Sequence, residues 1–168
     1  MAIVYLILGS NLGDREKNLS DAVRQIDRIE GFEIIASSPL YLNPAVEMDP
    51  DAPDFINMAI KGEYKYRPQE LLNAIEKIEK KLGRTGKGKT KPRTIDIDIA
   101  LFDDEVIETK QLSVPHRKLT QRPFMIAPII HLDPELIHPV TKERLASYLK
   151  EKAAREMIVY KEQIEIDV

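Results

Sequence analysis

The chain has 168 residues, with no cysteine and no tryptophan, and aromatic residues make up only 6% of it. Without cysteine there can be no disulfide, no thiolate metal site and no cysteine nucleophile. Long hydrophobic runs are missing too: the compact apolar stretch Ile3 to Leu8 falls far short of the ~20 residues that cross a bilayer. The start carries no basic region ahead of a hydrophobic core, so no secretory leader is read. The expectation is a cytoplasmic protein without a membrane partner. Nor is there an excess of one charge, since 25 Lys+Arg stand against 28 Asp+Glu for a net of −3. That balance argues against a general nucleic-acid partner, and any attraction for anions must be local. What is present is ordinary core content, 43% hydrophobic residues. Folding a chain of this size hides about 70% of the surface exposed when unfolded, so no metal or disulfide staple is needed. With no repeat, low-complexity tract or linker, a single domain over residues 1–168 is expected, acting as a monomer, with residues 161–168 as a loose tail.

Ile3 to Leu8 is β-branched and apolar, and Gly9-Ser10-Asn11 stops it, as suits a central strand covered on both faces. Leu19, Ala22, Val23, Ile26 and Ile29 then recur at helical spacing, predicting a helix from about Arg15 to Glu30, and Phe32 to Ser38 returns as a strand. Pro39, Pro44, Pro50 and Pro53 with four acids predict a long surface loop. Phe55 to Tyr66 reads as the third strand. Pro68 opens a second helix through Leu71, Leu72, Ile75, Ile78 and Leu82 to Gly83. Thr94 to Leu101 alternates with the period of a half-buried fourth strand. The order β-α-β-β-α-β predicts an α+β, ferredoxin-like fold, a four-stranded antiparallel sheet with two helices on one face. C-terminal additions, with helices near Phe124 to Ile130 and Lys142 to Ala154, should pack around it.

The strongest local anomaly is Gly83 to Arg93, with five cations, three glycines and no acid. Glycines let backbone approach a ligand and the cations could neutralise a polyphosphate, although a solvated basic loop has the same composition. Gly83 to Thr90 also fits the phosphate-loop pattern G-x-x-x-x-G-K-[ST]. That loop needs a strand before it and a helix after it, and here the order is reversed, so the match is rejected.

Asp96 and Asp98 lie two apart in the fourth strand, so both carboxylates leave one face while Ile95, Ile97 and Ile99 enter the other. Such a pair is often the wet side of a strand. Two adjacent carboxylates repel, however, and Asp is a poor strand former, which points to a compensating cation. Mg²⁺ suits two carboxylates with phosphate oxygens completing its shell, and the basic segment just upstream would bring phosphates. His116 and Arg122 flank a short turn and can be surface residues or phosphate contacts. His131 and His138 are read as structural. Gly9 to Asp14 is read first as a strand-to-helix turn with a cap and second as a site wall.

Gly9-Ser10-Asn11-Leu12-Gly13-Asp14, Phe55-Ile56-Asn57, Pro92-Arg93-Thr94-Ile95-Asp96-Ile97-Asp98-Ile99 and Val114-Pro115-His116 occur in the same order as in the 6-hydroxymethyl-7,8-dihydropterin pyrophosphokinase family of folate biosynthesis. The chain resembles that family over roughly residues 2 to 140. The resemblance implies a ferredoxin-like fold and transfer of pyrophosphate from ATP, the co-substrate, to the hydroxymethyl of a reduced pterin. It implies two Mg²⁺ ions on Asp96 and Asp98, and Arg84 and Arg93 at the transferred group. Lys87, His116 and Arg122 would hold the triphosphate, with Glu79, Ile99 and Ser113 near the nucleoside. The pterin would stack between Phe55 and Phe124, its edge read by Asn57 and by backbone around Asn43, Pro44 and Val46. The chain departs from the family's pattern in having Thr90-Lys91 in place of Trp-Gly, lysines for arginines in the basic loop, and Gln111 where Arg is frequent. No residue stands out as a general base.

Two other readings remain at this stage. A Mg²⁺-dependent nucleotidyltransferase could use the same Asp pair, and a non-catalytic ferredoxin-like module could bind RNA or a small ligand. The aspartates on the strand face, where RNA-binding sheets carry aromatics, speak against RNA. The basic loop Gly83 to Lys91 and the proline-rich loop Leu42 to Asp54 are expected to close over ATP and pterin.

Overall fold

The computed structural model describes residues 1–43, 54–83, 94–150 and 158–161. Strand β1 (Ala2–Ser10) runs through the middle of the sheet, antiparallel to β4 (Phe55–Tyr64) on one side and to β5 (Asp96–Phe102) on the other. Val4, Leu6 and Leu8 point into one core and Tyr5 and Ile7 into a second, which is why the strand reads as continuously apolar. It extends through Gly9 and Ser10, two residues past the expected stop, because Gly9 pairs with both Asn57 and Asp96.

Helix α1 (Arg15–Asp27) starts where the Asp14 carboxylate accepts the Lys17 N–H at 3.1 Å, and it buries Leu19, Ala22, Val23 and Ile26. Helix α2 (Pro68–Lys81) has Pro68 in its first turn and buries Leu71, Leu72, Ile75 and Ile78. Gly83, at φ 89°, lies just past its end in the left-handed region. Both helices cover the sheet face that carries Leu6, Leu8, Ile56, Met58, Ile97 and Ile99.

Among the described residues the antiparallel sheet has six strands rather than the four expected, in the order β5-β1-β4-β3-β8 with β2 also on β4. Strands β2 (Phe32–Ser37) and β3 (Leu40–Asn43) share one edge of β4, and β8 (Ile158–Lys161) pairs with β3. Leu40–Asn43 was expected within the proline-rich surface loop, and Pro39 explains the difference. Proline cannot donate to a ladder, but it stands before β3, where the chain passes from one strand to the next. Buried Ser38 covers the break: its N–H donates to Ala59 O (2.9 Å), and its Oγ accepts the Ala59 N–H (2.8 Å) while donating to Pro39 O (2.8 Å).

The hairpin β6 (Ile107–Glu108) with β7 (Ser113–Val114) leads to α3 (Pro123–Leu132). This helix packs on the opposite face of the sheet from α1 and α2, with Met125, Ile126 and Ile129 against Tyr5, Ile7, Ala59 and Ala100. The sheet is therefore covered on both sides, not one. The helix expected from Lys142 to Ala154 is corrected over its described part, residues 142–150, to one short 3₁₀ turn, Leu145–Tyr148. Lys142 has φ 64°, outside the right-handed helical region, and the Leu145 N–H is taken by Leu136 O at 2.9 Å. Among the described residues no helix is long and apolar enough to cross a membrane.

Candidate active site

Direct cross-strand pairing puts Asp96, Gly9, Asn57 and Tyr41 in one row across four strands, and Asp98, Ile7 and Ala59 in another. Paired residues face the same way, so both carboxylates lie on the α3 side of the sheet. Under α3 that face is apolar, with Tyr5, Ile7, Ala59 and Ala100. At the end where Asp96, Asp98 and Asn57 stand it is polar. Phe55, two residues from Asn57 and opposite Asn43, borders the same area. Ile95, Ile97 and Ile99 are buried against the helices on the other side, as the alternation predicted.

Asp96 and Asp98 are half-buried, and two carboxylates on one face form a donor set that suits Mg²⁺, with remaining positions open to water and phosphate oxygens. Asn57 is nearly inaccessible, at 5% exposure. Its Nδ2 donates to Leu8 O at 3.5 Å, while its Oδ1 is buried and meets no donor among the described residues. A buried acceptor left unmet costs about 1–3 kcal/mol. Such a group is what a ligand N–H would satisfy.

Glu79 is buried on α2, at 4% exposure, and its Oε2 accepts the Ile97 N–H at 3.0 Å. This bond ties α2 to the residue lying between the two aspartates. Glu79 and the Ile99 side chain sit on the helix side of the sheet, so they do not share a face with the carboxylates. In the sequence, Glu79 is marked only through the family pattern. A carboxylate on the buried stripe of α2, in step with Leu72 and Ile75, was a signal available without it.

The segment after β5 is laid along that strand by a hydrogen bond from His116 N–H to Ala100 O (2.9 Å). His116 Nδ1 accepts the Lys118 N–H at 3.1 Å, so a neutral ring carries its proton on Nε2. The Ser113 Oγ donates to Pro115 O at 3.5 Å. Arg122 caps α3, and its guanidinium stacks 5.6 Å from the ring centre of Phe124, which packs partly buried against the α3-side core. Asp96, Asp98, Asn43, Phe55, Asn57 and Phe124 are thus brought to one side of the sheet. Arg84, Lys87, Arg93, Pro44 and Val46 lie outside the described residues, as do the closing parts of both expected loops.

A carboxylate pair beside a buried amide is a site that can take a divalent cation together with a polar, flat ligand. Residues 5–134 match the family of 7,8-dihydro-6-hydroxymethylpterin-pyrophosphokinase, and the chain belongs to that family. A 2-amino-4-hydroxy-6-hydroxymethyldihydropteridine pyrophosphokinase of Aquifex aeolicus is 41% identical over 156 residues, covering 92% of this chain and 95% of that one. The protein of the same name from Bacillus subtilis is 36% identical over 98% of this chain and 94% of its own length. Among solved structures, a Plasmodium falciparum HPPK-DHPS with pterin and p-hydroxybenzoate superposes with a TM-score of 0.72 at 18% identity. It covers 92% of this chain but 43% of its own, so this chain spans less than half of that longer protein. At that identity the likeness concerns the fold alone.

Proposed function

We propose that the chain transfers the pyrophosphoryl group of ATP to the hydroxymethyl oxygen of 6-hydroxymethyl-7,8-dihydropterin, a step of folate synthesis. The pterin hydroxyl oxygen bonds to the β-phosphorus as its proton passes to water, the bond from that phosphorus to the α–β bridging oxygen breaks, and AMP leaves. The observation that carries this reading is the half-buried Asp96–Asp98 pair on the same sheet face as the buried Oδ1 of Asn57, which meets no donor among the described residues. Membership of the pyrophosphokinase family supports it.

In this reading Asp96 and Asp98 would hold two Mg²⁺ ions, which would supply neutralisation of the phosphate charge. Asn57 Oδ1 accepts an N–H from the pterin edge, and backbone at Asn43, Pro44 and Val46 reads the rest. Phe55 and Phe124 sandwich the pterin ring. Arg84 and Arg93 face the transferred group, and Lys87, His116 and Arg122 grip the triphosphate, His116 donating from Nε2. Glu79 fixes β5 from beneath, with Ile99 and Ser113 beside the nucleoside. The core β1-α1-β2-β4-α2-β5, with strands in the order β5-β1-β4-β2, is read as ferredoxin-like. One sheet with a core on each face supports a single domain; the reading also takes it to work in the cytoplasm as a monomer, and light scattering would check the single-chain mass.

The test is to mix the protein with ATP, Mg²⁺ and the pterin and to separate the nucleotide products. AMP in step with pterin diphosphate, lost on adding a chelator, is expected. Release of pyrophosphate would mean a nucleotidyltransferase instead, and no turnover would leave a binding module.

A further inference from the structure

Gly9 occupies the centre of the site row, in the central strand, with Asn57 on one side and Asp96 on the other. Glycine weakens a strand interior because it packs nothing and loses more entropy on ordering. No left-handed turn calls for it, since the positive-φ glycines among the described residues are Gly13, Gly31 and Gly83. What calls for it is space. A methyl group at Gly9 would lie 2.6 Å from Asn57 Nδ2 and 3.4 Å from Phe55 Cδ1. The Asn57 side chain thus lies across β1, over the surface that a missing side chain leaves open. Its Nδ2 rests on the Leu8 carbonyl and its unmet Oδ1 stays buried.

We propose that Gly9 is a positioning residue for the pterin site: its bare backbone is the floor on which the Asn57 amide lies, and that floor sets where the Asn57 acceptor meets the ligand. The inference rests on the reading of Asn57 as the residue that accepts from the pterin. Any side chain at position 9 lifts the amide and crowds the edge of Phe55. The effect falls on pterin affinity and reaches nucleotide affinity little, because Gly9 acts through Asn57 and Phe55.

The experiment is a double-mutant cycle on the whole chain, with Gly9→Ala, Asn57→Ala and the pair. Dissociation constants are measured for 6-hydroxymethyl-7,8-dihydropterin and, separately, for Mg²⁺ with α,β-methylene-ATP. Gly9→Ala should weaken pterin binding at least tenfold and leave the nucleotide analogue within twofold. On the Asn57→Ala background, where the obstructing amide is gone, the same change should add less than twofold. Should Gly9→Ala alone fail to fold, the pair should fold and bind pterin as Asn57→Ala does. Wild-type pterin affinity in Gly9→Ala, or an undiminished effect on the Asn57→Ala background, overturns the inference while leaving the Asn57 reading standing. Wild-type affinity in Asn57→Ala overturns that reading, and the inference with it. Gly62→Ala is the control for a glycine hemmed in away from the site, by Phe32 and Glu33; it should lower stability without a selective loss of pterin.

Discussion

At the scale of single residues, Asp96 and Asp98 stand two apart on one face of β5, at the polar end of a sheet face that is apolar under α3. Replacing either by an isosteric amide removes a ligand charge without changing shape. Asp96→Asn and Asp98→Asn should each lower kcat by on the order of a hundredfold or more. A urea transition as cooperative as the wild type's would show that the fold is intact, and near-wild-type turnover in either variant would refute the metal assignment. His138 supplies a different prediction. It is buried, and its Nδ1 accepts the N–H groups of Val140 (3.2 Å) and Thr141 (3.3 Å). Desolvation pushes its pKa below the ordinary 6.5. Protonation would abolish the acceptor, so at mildly acidic pH the unfolded chain binds the proton and the folded one does not. Stability from this group is therefore full above about pH 6.5 and is lost as pH falls through the depressed folded value. His138→Asn keeps an acceptor near the Nδ1 position and cannot titrate. The variant should lose less stability than wild type between pH 7 and pH 5.5 in urea melts; equal losses would show that other groups dominate.

At the scale of elements, α1, α2 and β5 were legible in the sequence because each states its burial as a period and punctuates its ends. Asp14, Pro68 and Gly83 mark termini, and Ile95, Ile97 and Ile99 mark the inward side of β5. The Asp pair was legible for the same reason, since period two alone puts both carboxylates on one face. Strand β3 was not legible, because Pro39 and the prolines beyond Asn43 hide a run of four residues whose strand identity comes from a neighbour distant in sequence. The 3₁₀ turn at Leu145–Tyr148 was illegible for a related reason: its geometry follows the left-handed Lys142 and the pairing to Leu136, which local pattern does not encode. Asn57's open acceptor and Gly9's clearance needed cross-strand register. Ser38 is where the hidden β2–β3 junction can be tested. Ser38→Ala removes the acceptor for the buried Ala59 N–H and should cost about 1–3 kcal/mol. Urea unfolding should show a lower midpoint at unchanged slope. An unaltered midpoint would mean that another group takes over that N–H.

At the scale of the whole molecule, the sheet separates two cores that do different work. Among the described residues the α1–α2 side is an apolar core with Glu79 buried at its β5 edge, whereas the α3 side gives way to the polar site, so the placement of α3 sets the boundary between packing and chemistry. One tie fixing that helix is far from the reaction. The Tyr5 hydroxyl donates to Asp133 Oδ2 at 2.8 Å, where Asp133 caps the C-terminal end of α3, and Lys61 Nζ stands 5.8 Å from the centre of the Tyr5 ring. Burial first, then the bond to Asp133 and its charge, hold the phenol pKa well above its ordinary value. The donor is therefore intact at any assay pH near neutrality. Tyr5→Phe keeps the ring in its packing and removes only the donor, leaving a half-buried Asp133 that water can still solvate. The expected cost is about 0.5–1.5 kcal/mol of stability. Arg122 and Phe124 stand at the other end of α3, about 15 Å away at the helical rise. A rigid helix held also by Met125, Ile126 and Ile129 should keep them in place, so kcat/KM for the pterin should stay within threefold of wild type. If the variant instead lost tenfold or more in pterin KM at unchanged kcat, the helix would be transmitting the position of its far end to the stacking residue, and the α3 layer would be part of the site.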